Sequence, residues 1–467
     1  MRVKALALAL TGALLFAASA TAQNRDDRRN VILIIGDGMD DQQITIARNY
    51  LAGAQGKLVL DDMPVRSTSQ VLTVDEQSPA TPVYVADSAN SATSMATGKI
   101  TSRGRIGTSA RDDKDIATIA EQAKAAGYRT GIISTASVTD ATPASFISHV
   151  ASRGCENPNV MLPSDDFPSW LDPAACKKDM QVEGGLGSIA EQIANGDTDV
   201  VMGGGLKHFV SLAEDSQQTV LQLAEINGYQ IVKKQQDLNN IDPRKKILGL
   251  FTDGTMPTRL QGENGRIAEK PKPSLLNRID WRLGSVELPQ PMACESNPEF
   301  DDTPSIKTMT DATLKYLSAQ ESRGFFLMVE SASIDKQSHA RNPCGSIGEL
   351  QQLEEALISA LEFAEHNPNT LILVTADHGQ AAQIIPENSL FSRYGVPVYT
   401  AGHVARIQTP ENQIIAVNYA TNDFPYEEHT GVNVPLFSNH EGAGRVAPMV
   451  TQPEIYAIMM AYLGLPY

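Results

Sequence analysis

The chain of 467 residues lacks the features that mark several large classes of protein. No segment approaches the about 20 consecutive apolar residues that cross a bilayer. Neither end carries a basic run and the formal net charge is −17, so we expect neither a nucleic acid nor a membrane surface as partner. An anionic small molecule is not excluded, because bound divalent cations invert the local potential. Internal repeats and low-complexity segments are missing as well.

The first 22 residues have the pattern of a secretory signal peptide. Arg2 and Lys4 precede an apolar stretch over 5–18, and Ala20-Thr21-Ala22 places small residues at the cleavage position. A transmembrane anchor is the alternative, but the apolar stretch is shorter than one. We therefore expect residues 1–22 to be removed and the mature protein to be periplasmic or secreted.

Cysteine is scarce, and its arrangement argues for disulfides. The chain has four cysteines and no Cys-x-x-Cys pair, which in an exported protein favours disulfides over thiolate metal sites. Three pairings are possible. Order along the chain favours Cys155 with Cys176 and Cys294 with Cys344, because both closed loops are then local.

Short apolar runs alternate with helical patterns along the chain. Runs without polar alternation, typical of buried parallel strands, lie at 31–35, 131–133, 199–202, 246–251, 325–329 and 371–374. Helical patterns cover 116–126, 188–194, 219–226, 305–320, 349–366 and 454–463. This alternation predicts an α/β fold with a doubly wound, mostly parallel central sheet and helices on both faces.

The size of the chain bears on its division into domains. The about 445 mature residues exceed the size at which one core usually stops growing. We expect one large domain over 23–467, with 380–428 as a surface insertion that forms a subdomain or a dimer contact; two domains are the alternative.

Acidic residues follow four of the apolar runs. Asp37 follows 31–35, Asp140 follows 131–133, Glu330 follows 325–329, and Asp377-His378 follows 371–374. In open α/β sheets, ligands bind just beyond the carboxyl ends of the strands. A single such acid is ordinarily a turn or cap residue, but four of them, together with Asp335 and His339 at helical i, i+4 spacing, indicate metal ligands.

Ser88 is the candidate nucleophile. It begins a run of small residues over 89–98 that reads as a helix, and the free N–H groups and dipole at a helix N-terminus favour an anion. A lone serine there is more often a plain N-cap. Because the chain has no Gly-x-Ser-x-Gly elbow, activation by a metal explains a nucleophilic serine better than activation by a histidine.

With these residues in place, the sequence resembles the alkaline phosphatases of the bacterial three-metal type. The resemblance covers about 31–378 and again about 401 to the C-terminus, whereas 205–290 and 380–428 match no motif. The matching stretches occur in the family's order and read Ile35-Gly-Asp-Gly-Met39, Asp87-Ser-Ala89, Asp140-Ala-Thr-Pro143, His149 to Arg153, Met328-Val-Glu330, Ser333-Ile-Asp-Lys-Gln-Ser-His339, Asn342-Pro-Cys-Gly345, Thr375-Ala-Asp-His-Gly379 and Glu428-His-Thr-Gly431.

The resemblance implies two zinc ions and one magnesium ion. One zinc would bind Asp335, His339 and His429. The second would bind Asp37, Asp377 and His378 and activate Ser88. Magnesium would bind Asp37, Thr142 and Glu330, with Asp140 held nearby. Hard oxygen ligands suit magnesium, and mixed nitrogen and oxygen ligands suit zinc.

The resemblance also implies a catalytic cycle and an assembly. Arg153 would hold two non-bridging phosphate oxygens with its forked guanidinium, and Lys336 would contact phosphate through water and help to place Asp140. We expect an exported phosphatase that hydrolyses a broad range of phosphate monoesters through a phosphoserine on Ser88, releases inorganic phosphate, and forms a homodimer.

Three other functions compete with this expectation. A sulfatase of the same superfamily would carry Cys or Ser two residues before Pro, but Ala89-Asn90 follows Ser88 here. A phosphodiesterase would generally use threonine and lack the arginine. A catalytically silent phosphate-binding relative would have lost ligands.

The remaining histidines are expected to be surface or hydrogen-bonded residues, with His440 the first to reconsider; they are His149, His208, His366, His403 and His440.

Overall fold

The computed structural model describes residues 28–162, 175–319, 321–387 and 400–467, together with residues 391, 394 and 395. The predicted signal peptide over 1–22 lies outside the described residues. In the described part of the chain, no helix combines the length and apolar character that crossing a membrane requires.

Strands and helices alternate along most of the chain. The strands are β1 (Arg29–Gly36), β2 (Val65–Gln70), β3 (Thr73–Val74), β4 (Pro82–Val83), β5 (Arg129–Ser137), β6 (Val200–Gly204), β7 (Tyr229–Val232), β8 (Lys246–Leu250), β9 (Leu260–Gly262), β10 (Lys272–Pro273), β11 (Val286–Glu287), β12 (Cys294–Ser296), β13 (Gly324–Ser331), β14 (Thr370–Thr375), β15 (Gln383–Ile385), β16 (His403–Gln408), β17 (Ile414–Tyr419), β18 (Val434–Ser438) and β19 (Met449–Thr451).

The helices have the following bounds: α1 (Asp41–Leu51), α2 (Ser88–Thr97), α3 (Ile119–Ala125), α4 (Ala141–Ala144), α5 (Ile189–Asn195), α6 (Val220–Ile226), α7 (Leu275–Ile279), α8 (Ile306–Ala319), α9 (Ser333–His339), α10 (Pro343–His366) and α11 (Gln452–Leu463).

The central sheet has ten strands in the order β19-β2-β18-β14-β1-β13-β5-β6-β8-β7. Strand β18 runs antiparallel to both of its neighbours, and the other neighbouring pairs are parallel. Each parallel crossover needs a long connection, which the intervening helices supply. The predicted α/β fold with a mostly parallel sheet is confirmed.

Helices cover both faces of this sheet. Along β1, Ile32 and Ile34 point into one hydrophobic core and Val31, Leu33 and Ile35 into another, because successive side chains of a strand face opposite ways. The first core contains residues of α1, α8 and α10, and the second contains residues of α2, α3 and α11. Burial on both faces explains why the strand sequences show no polar alternation.

Local capping sets helix ends that apolar periodicity alone misplaces. The pattern at 116–126 begins as a helix only at Ile119, since Thr118 and Glu121 form a capping box. The pattern at 349–366 extends back to Pro343, where Asn342 caps the helix and proline occupies its first turn. The first helix therefore starts three residues later than predicted, and the second starts six residues earlier.

The segment 380–428 contributes a separate antiparallel sheet of order β15-β17-β16. This small sheet packs against the main core, because Val417 and Tyr419 are fully buried there. After β17 the chain returns toward α9, where the Glu427 N–H donates to the carbonyl of His339 at 3.0 Å. The assignment of 380–428 as a surface insertion and of 23–467 as one domain stays a prediction.

Both disulfides join the cysteines that order along the chain favours. Cys155 pairs with Cys176 across 21 residues, and Cys294 pairs with Cys344 across 50 residues. The second bond ties β12 to the first turn of α10, which directly follows α9. The two bonds therefore close loops of different lengths in different parts of the fold.

We expect both disulfides to stabilise the fold, and the longer loop to matter more. Loop-closure entropy predicts losses of about 3 kcal/mol for Cys155→Ala with Cys176→Ala and about 4 kcal/mol for Cys294→Ala with Cys344→Ala. Urea unfolding at constant metal concentration measures both. The reduced wild type is the control, since it loses the bonds but keeps the sulfur atoms. Unchanged unfolding free energies, or crossed pairs in peptide maps, would contradict this.

Candidate active site

Three neighbouring strands deliver acids to the carboxyl edge of the sheet. Asp37 directly follows β1, Glu330 lies in β13, and Asp377 follows β14. The register pairs Ile35 of β1 with Glu330 on one side and with Thr375 on the other. Because β1 lies between β13 and β14, these three acids, distant in sequence, converge on one region.

Asp37, Asp377 and His378 form one fully buried group. The Nε2 atom of His378 lies 3.4 Å from Asp37 Oδ1 and 3.4 Å from Asp377 Oδ2. Gly38 adopts φ +69 and donates its N–H to Asp377 Oδ1 at 3.0 Å, which closes the turn after β1. His378 Nδ1 faces the carbonyl of Gly379 at 3.3 Å, so the proton is on Nδ1 and the Nε2 lone pair faces the carboxylates. Burial lowers the pKa of His378 to about 4, which keeps the ring neutral.

Asp335, His339 and His429 form a second group beside the first. Asp335 and His339 lie one turn apart on α9, and His429 comes from the loop before β18. Asp335 Oδ2 is 3.3 Å from His339 Nε2, and Asp335 Oδ1 is 3.4 Å from His429 Nε2. The His378 and His429 rings stack with their centroids 3.6 Å apart, so the two groups are directly adjacent.

Backbone carbonyls fix the tautomers of both histidines in the second group. His339 Nδ1 donates to the carbonyl of Glu427, and His429 Nδ1 donates to the carbonyl of Ala86 at 2.9 Å. Since a carbonyl only accepts, each Nδ1 carries the proton and each Nε2 presents a lone pair. These two Nε2 atoms face each other at 3.0 Å. Burial opposes a positive charge on either ring, but Asp335 outweighs it and raises the pKa of both histidines. The two Nε2 atoms therefore favour a positive charge between them, which a metal ion or a proton supplies.

Glu330 and Thr142 extend the acidic region toward Asp140. Ser134 donates a hydrogen bond to Glu330, whose side chain is buried. Burial raises the pKa of Glu330 to about 8; Asp140 and Asp377 also raise it, and the Ser134 hydrogen bond opposes them. Thr142 Oγ1 is buried without a partner in the described structure.

Ser88 is the first residue of α2 and lies at the edge of the first group. Asp87 caps the helix by accepting from the N–H of Asn90 at 3.0 Å. The Ser88 hydroxyl donates to His378 Nε2 at 3.1 Å. The helix dipole and free N–H groups at this end stabilise negative charge on the serine oxygen.

Two positively charged side chains, Arg153 and Lys336, pair with Asp140 near the buried acids. Arg153 donates to Asp140 Oδ1 at 2.9 Å and pairs with Asp87 Oδ2 at 3.3 Å, and Lys336 donates to Asp140 Oδ2 at 2.5 Å. Burial raises the pKa of Asp140, but Lys336 and Arg153 outweigh it and hold the pKa of Asp140 below its usual range. Burial opposes the charges of Lys336 and Arg153, but Asp140 outweighs it and raises the pKa of both, so both side chains stay charged.

The residues fit divalent cations. Asp37 Oδ1 and Asp377 Oδ2 are buried and accept no hydrogen bond in the described structure. Burial raises the pKa of Asp37, and the nearby Asp377 and Asp335 carboxylates raise it further. Unpaired buried carboxylates are costly unless a cation neutralises them. The ligand atoms within each group of three lie within 4.8 Å of one another, a spacing that one ion can bridge.

The structure brings together the residues predicted for the two zinc sites, with Ser88 beside them, and it pairs Arg153 and Lys336 with Asp140. The magnesium site on Asp37, Thr142 and Glu330 stays a prediction.

The structure also adds positioning residues that the sequence analysis missed. Gln380 donates to Asp335 Oδ1 at 2.5 Å, and Glu427 orients His339 through its carbonyl. The Glu427 carboxylate is buried and paired with Arg341 at 2.6 Å. Gln380 directly follows Asp377-His378-Gly379, and Glu427 lies two residues before His429, so adjacency to the motifs was the available signal.

The five remaining histidines lie outside both groups. His149 Nδ1 donates to the Gly107 carbonyl and His149 Nε2 donates to Glu121 Oε1, at 2.9 Å each. His208 contacts Asn157 at 2.8 Å, and His440 is exposed at the start of a short 3₁₀ turn. Within the described residues, neither His366 nor His403 belongs to a candidate metal group.

Comparison with known proteins was made at the level of family, sequence and structure. The family model described as alkaline phosphatase matches residues 28–465. The chain is 37% identical over 445 residues to the alkaline phosphatase of Escherichia coli K12, covering 94% of this chain and 86% of that protein. It is also 37% identical over 462 residues to the streptomycin-6-phosphate phosphatase of Streptomyces griseus, covering 96% and 94% of the two chains.

Solved structures show the same fold at lower sequence identity. The alkaline phosphatase of the Antarctic bacterium TAB5 superposes with a TM-score of 0.66 at 22% identity, covering 94% of this chain and 99% of that chain. The Thermus thermophilus alkaline phosphatase gives a TM-score of 0.64 at 20% identity, covering 94% and 92%.

We expect each group of three residues to hold a divalent cation. Asp335→Asn and Asp377→Asn should each lower the metal content by about one ion per chain, because each loses an anionic ligand. Mass spectrometry of the metals in the purified protein measures this. Asp62→Asn is the control, since Asp62 is an exposed carboxylate paired with Lys57. Full metal content in both site variants would contradict the assignment.

Proposed function

The chain belongs to the alkaline phosphatase family and is a phosphatase, and on that premise we propose that it hydrolyses a broad range of phosphate monoesters through a phosphoserine on Ser88. The observation that carries this proposal is the contact between the Ser88 hydroxyl and His378 Nε2 at 3.1 Å. It brings a serine at a helix N-terminus into contact with a group of three residues that could hold a metal ion.

Two zinc ions and one magnesium ion complete the proposed site. Asp37, Asp377 and His378 would hold the first zinc, and Asp335, His339 and His429 the second. Glu330, Thr142 and Asp37 would hold magnesium, with Asp140 close by; oxygen ligands favour this hard cation. When bound, these cations supply Lewis-acid stabilisation of negative charge on the serine oxygen and on the leaving oxygen.

The chain's own residues perform the positioning. The Ser88 oxygen loses its proton to solvent and attacks phosphorus in line; the Oγ–P bond forms, the P–O bond to the leaving group breaks, and the leaving oxygen takes a proton from solvent. Water then loses a proton and attacks the phosphoserine, the Oγ–P bond breaks, the serine oxygen regains a proton and inorganic phosphate leaves. The dipole of α2 stabilises the serine oxygen as an anion in both half-reactions, since that oxygen is first the nucleophile and then the leaving atom.

Arg153 and Lys336 would hold the phosphoryl group. The Arg153 guanidinium presents two parallel N–H groups, which match two non-bridging oxygens of a monoester dianion. In the structure these N–H groups are paired with Asp87 and Asp140, so phosphate would exchange with carboxylates for the same donors. Lys336 would hold Asp140 in place and contact phosphate through water.

The cellular setting is proposed on separate grounds. Two disulfides support export through the predicted signal peptide to the periplasm or the outside of the cell. The net charge of −17 supports the absence of nucleic-acid and anionic-membrane partners. The homodimer rests on the family resemblance, and 380–428 is proposed as its surface subdomain.

We expect Ser88→Ala to lose activity by roughly 10³-fold or more, because the nucleophile is gone while some direct attack by water remains. After an acid quench, mass spectrometry of the wild type should find phosphate on the peptide that contains Ser88. Ser91→Ala is the matched control, since Ser91 lies on the same helix with its buried hydroxyl unbonded. Phosphate recovered only on another residue would refute the covalent route.

We expect Arg153→Ala to separate monoesters from diesters. A diester has esterified one non-bridging oxygen and cannot accept the full fork, so kcat/KM should fall by roughly 10- to 1000-fold on an aryl monoester and change little on an aryl diester. Arg153→Lys keeps the charge without the fork and should fall in between. Steady-state kinetics on both esters and an aryl sulfate measure this. Equal losses on monoester and diester would assign Arg153 to the fold or to uniform binding.

A further inference from the structure

We propose that Arg103 forms a subsite at the mouth of the active site, where it binds an anionic group carried by the leaving group of the phosphate monoester. This inference rests on the proposed phosphatase function and deepens it. It names a class of preferred substrate: monoesters with a second carboxylate or phosphate near the ester oxygen.

Arg103 is anchored to the segment that leads into the nucleophile. Its Nε donates to the carbonyl of Val85 at 2.7 Å. Ser88 follows Val85 by three positions, a span of at most about 10 Å of extended chain. The guanidinium of Arg103 therefore contacts the short segment that carries the reacting oxygen.

Four further hydrogen bonds link the backbone next to Arg103 and Val85 to Arg153 on one side and to the second metal group on the other. The N–H of Gly104 donates to both oxygens of Asp87, at 3.1 and 3.0 Å, and its carbonyl accepts from the N–H of Arg153 at 2.6 Å. On the other side, the carbonyl of Ala86 accepts from His429 Nδ1 at 2.9 Å. Gly104, the residue after Arg103, therefore holds the backbone of Arg153. Ala86, the residue after Val85, holds the ring of His429.

The site opens on this same side. The side chains of Asp377 and His378 are 0% exposed, whereas those of His339 and Arg153 are 30% and 24% exposed. His339 and Arg153 therefore border the more exposed part of the site, and a leaving group that departs opposite the buried serine would leave through it. Arg103, whose side chain is exposed, is linked to this part through Gly104, whose carbonyl accepts from the Arg153 N–H.

The two terminal guanidinium nitrogens of Arg103 are available to a ligand, whereas those of Arg105 are occupied. Arg105, two residues later, is buried and paired with Glu76 and Asp113, which marks it as a structural residue. Arg103 uses only Nε in the described structure, and its two terminal nitrogens have no hydrogen bond or ion pair. The nearby acids are already engaged: Glu76 by Arg105, and Asp87 by Arg153 and the Gly104 N–H.

An arginine fixed through Nε presents its terminal N–H groups as a planar pair that matches a carboxylate or a phosphate. On a chain with a net charge of −17, a free fixed cation at the mouth of the site gives local attraction to an anion that the whole surface repels. We therefore assign the second anionic group of the substrate to this position.

The test compares two pairs of esters that differ in one charge. 3- and 4-carboxyphenyl phosphate carry the second anion, and 3- and 4-carbamoylphenyl phosphate are their neutral isosteres. The quantity measured is the ratio of kcat/KM for the carboxylated ester to that for its isostere. Comparing this ratio between variants cancels the intrinsic reactivity of each phenol.

We expect Arg103→Gln to lower this ratio by roughly 3- to 10-fold for at least one isomer pair, a modest effect because the site is solvent-exposed. Arg103→Lys keeps the charge and should retain part of the ratio. Lys99→Gln is the matched control: it removes one exposed positive charge at the far end of α2, about 16 Å from Ser88 along the helix, and should leave the ratio unchanged.

Each outcome decides the matter. A ratio that is the same in the wild type and Arg103→Gln for both isomer pairs, with the neutral esters still hydrolysed, overturns the subsite and leaves the phosphatase function standing. A loss shared equally by charged and neutral esters assigns Arg103 to a structural role. No hydrolysis of any ester by the wild type overturns the proposed function and the subsite together.

Discussion

The mutual repulsion of buried carboxylates is the constraint on which the rest of the site depends. Asp37, Asp377, Asp335 and Glu330 are all buried at the carboxyl edge of one parallel sheet, and their charges raise the pKa of Asp37 after burial itself has done so. A hydrophobic scaffold does not tolerate such a cluster unless cations neutralise it. The fold offers two kinds of compensation. Three of these four acids belong to the two groups that could hold a metal ion, and Lys336 and Arg153 pair with the nearby Asp140. Stability of the edge and binding of an anionic substrate therefore use the same positive charges.

The sequence predicted the parts of this arrangement that come from regular elements. Strand-end acids follow from the parallel sheet, and Asp335 with His339 follow from helical spacing, because both depend on geometry that repeats along the chain. The resemblance to a known family was needed for His429, Arg153 and Lys336. Apolar periodicity placed helices but not their ends, since a cap such as Thr118 or Asn342 decides where a helix starts. The segment 380–428 was not predictable in detail, because its strands pair with each other and not with the central sheet.

What the sequence could not reveal is the set of backbone carbonyls that orient the histidines. His339 depends on Glu427 and His429 depends on Ala86, separated by 88 and 343 residues. A carbonyl is present at every residue, so no side-chain pattern marks the ones that hold a metal ligand. Glu427 gives an indirect signal of its role, because it is a buried acid paired with Arg341. This pair fixes the loop whose carbonyl accepts from His339. Catalytic geometry thus rests on contacts whose side chains have an unrelated structural role.

The short segment from Val85 to Ser88 links functions that are usually assigned to different residues. The carbonyl of Val85 accepts from Arg103, and the carbonyl of Ala86 orients His429. Asp87 caps α2 and pairs with Arg153, and Ser88 is the proposed nucleophile. Because consecutive backbone groups are joined by nearly rigid peptide units, a shift at one of these contacts moves the others. Leaving-group recognition, orientation of the metal ligand and alignment of the serine are therefore mechanically coupled. A substitution that changes leaving-group preference through this segment would also change metal retention, whereas one that acts from the solvent side of Arg103 would not.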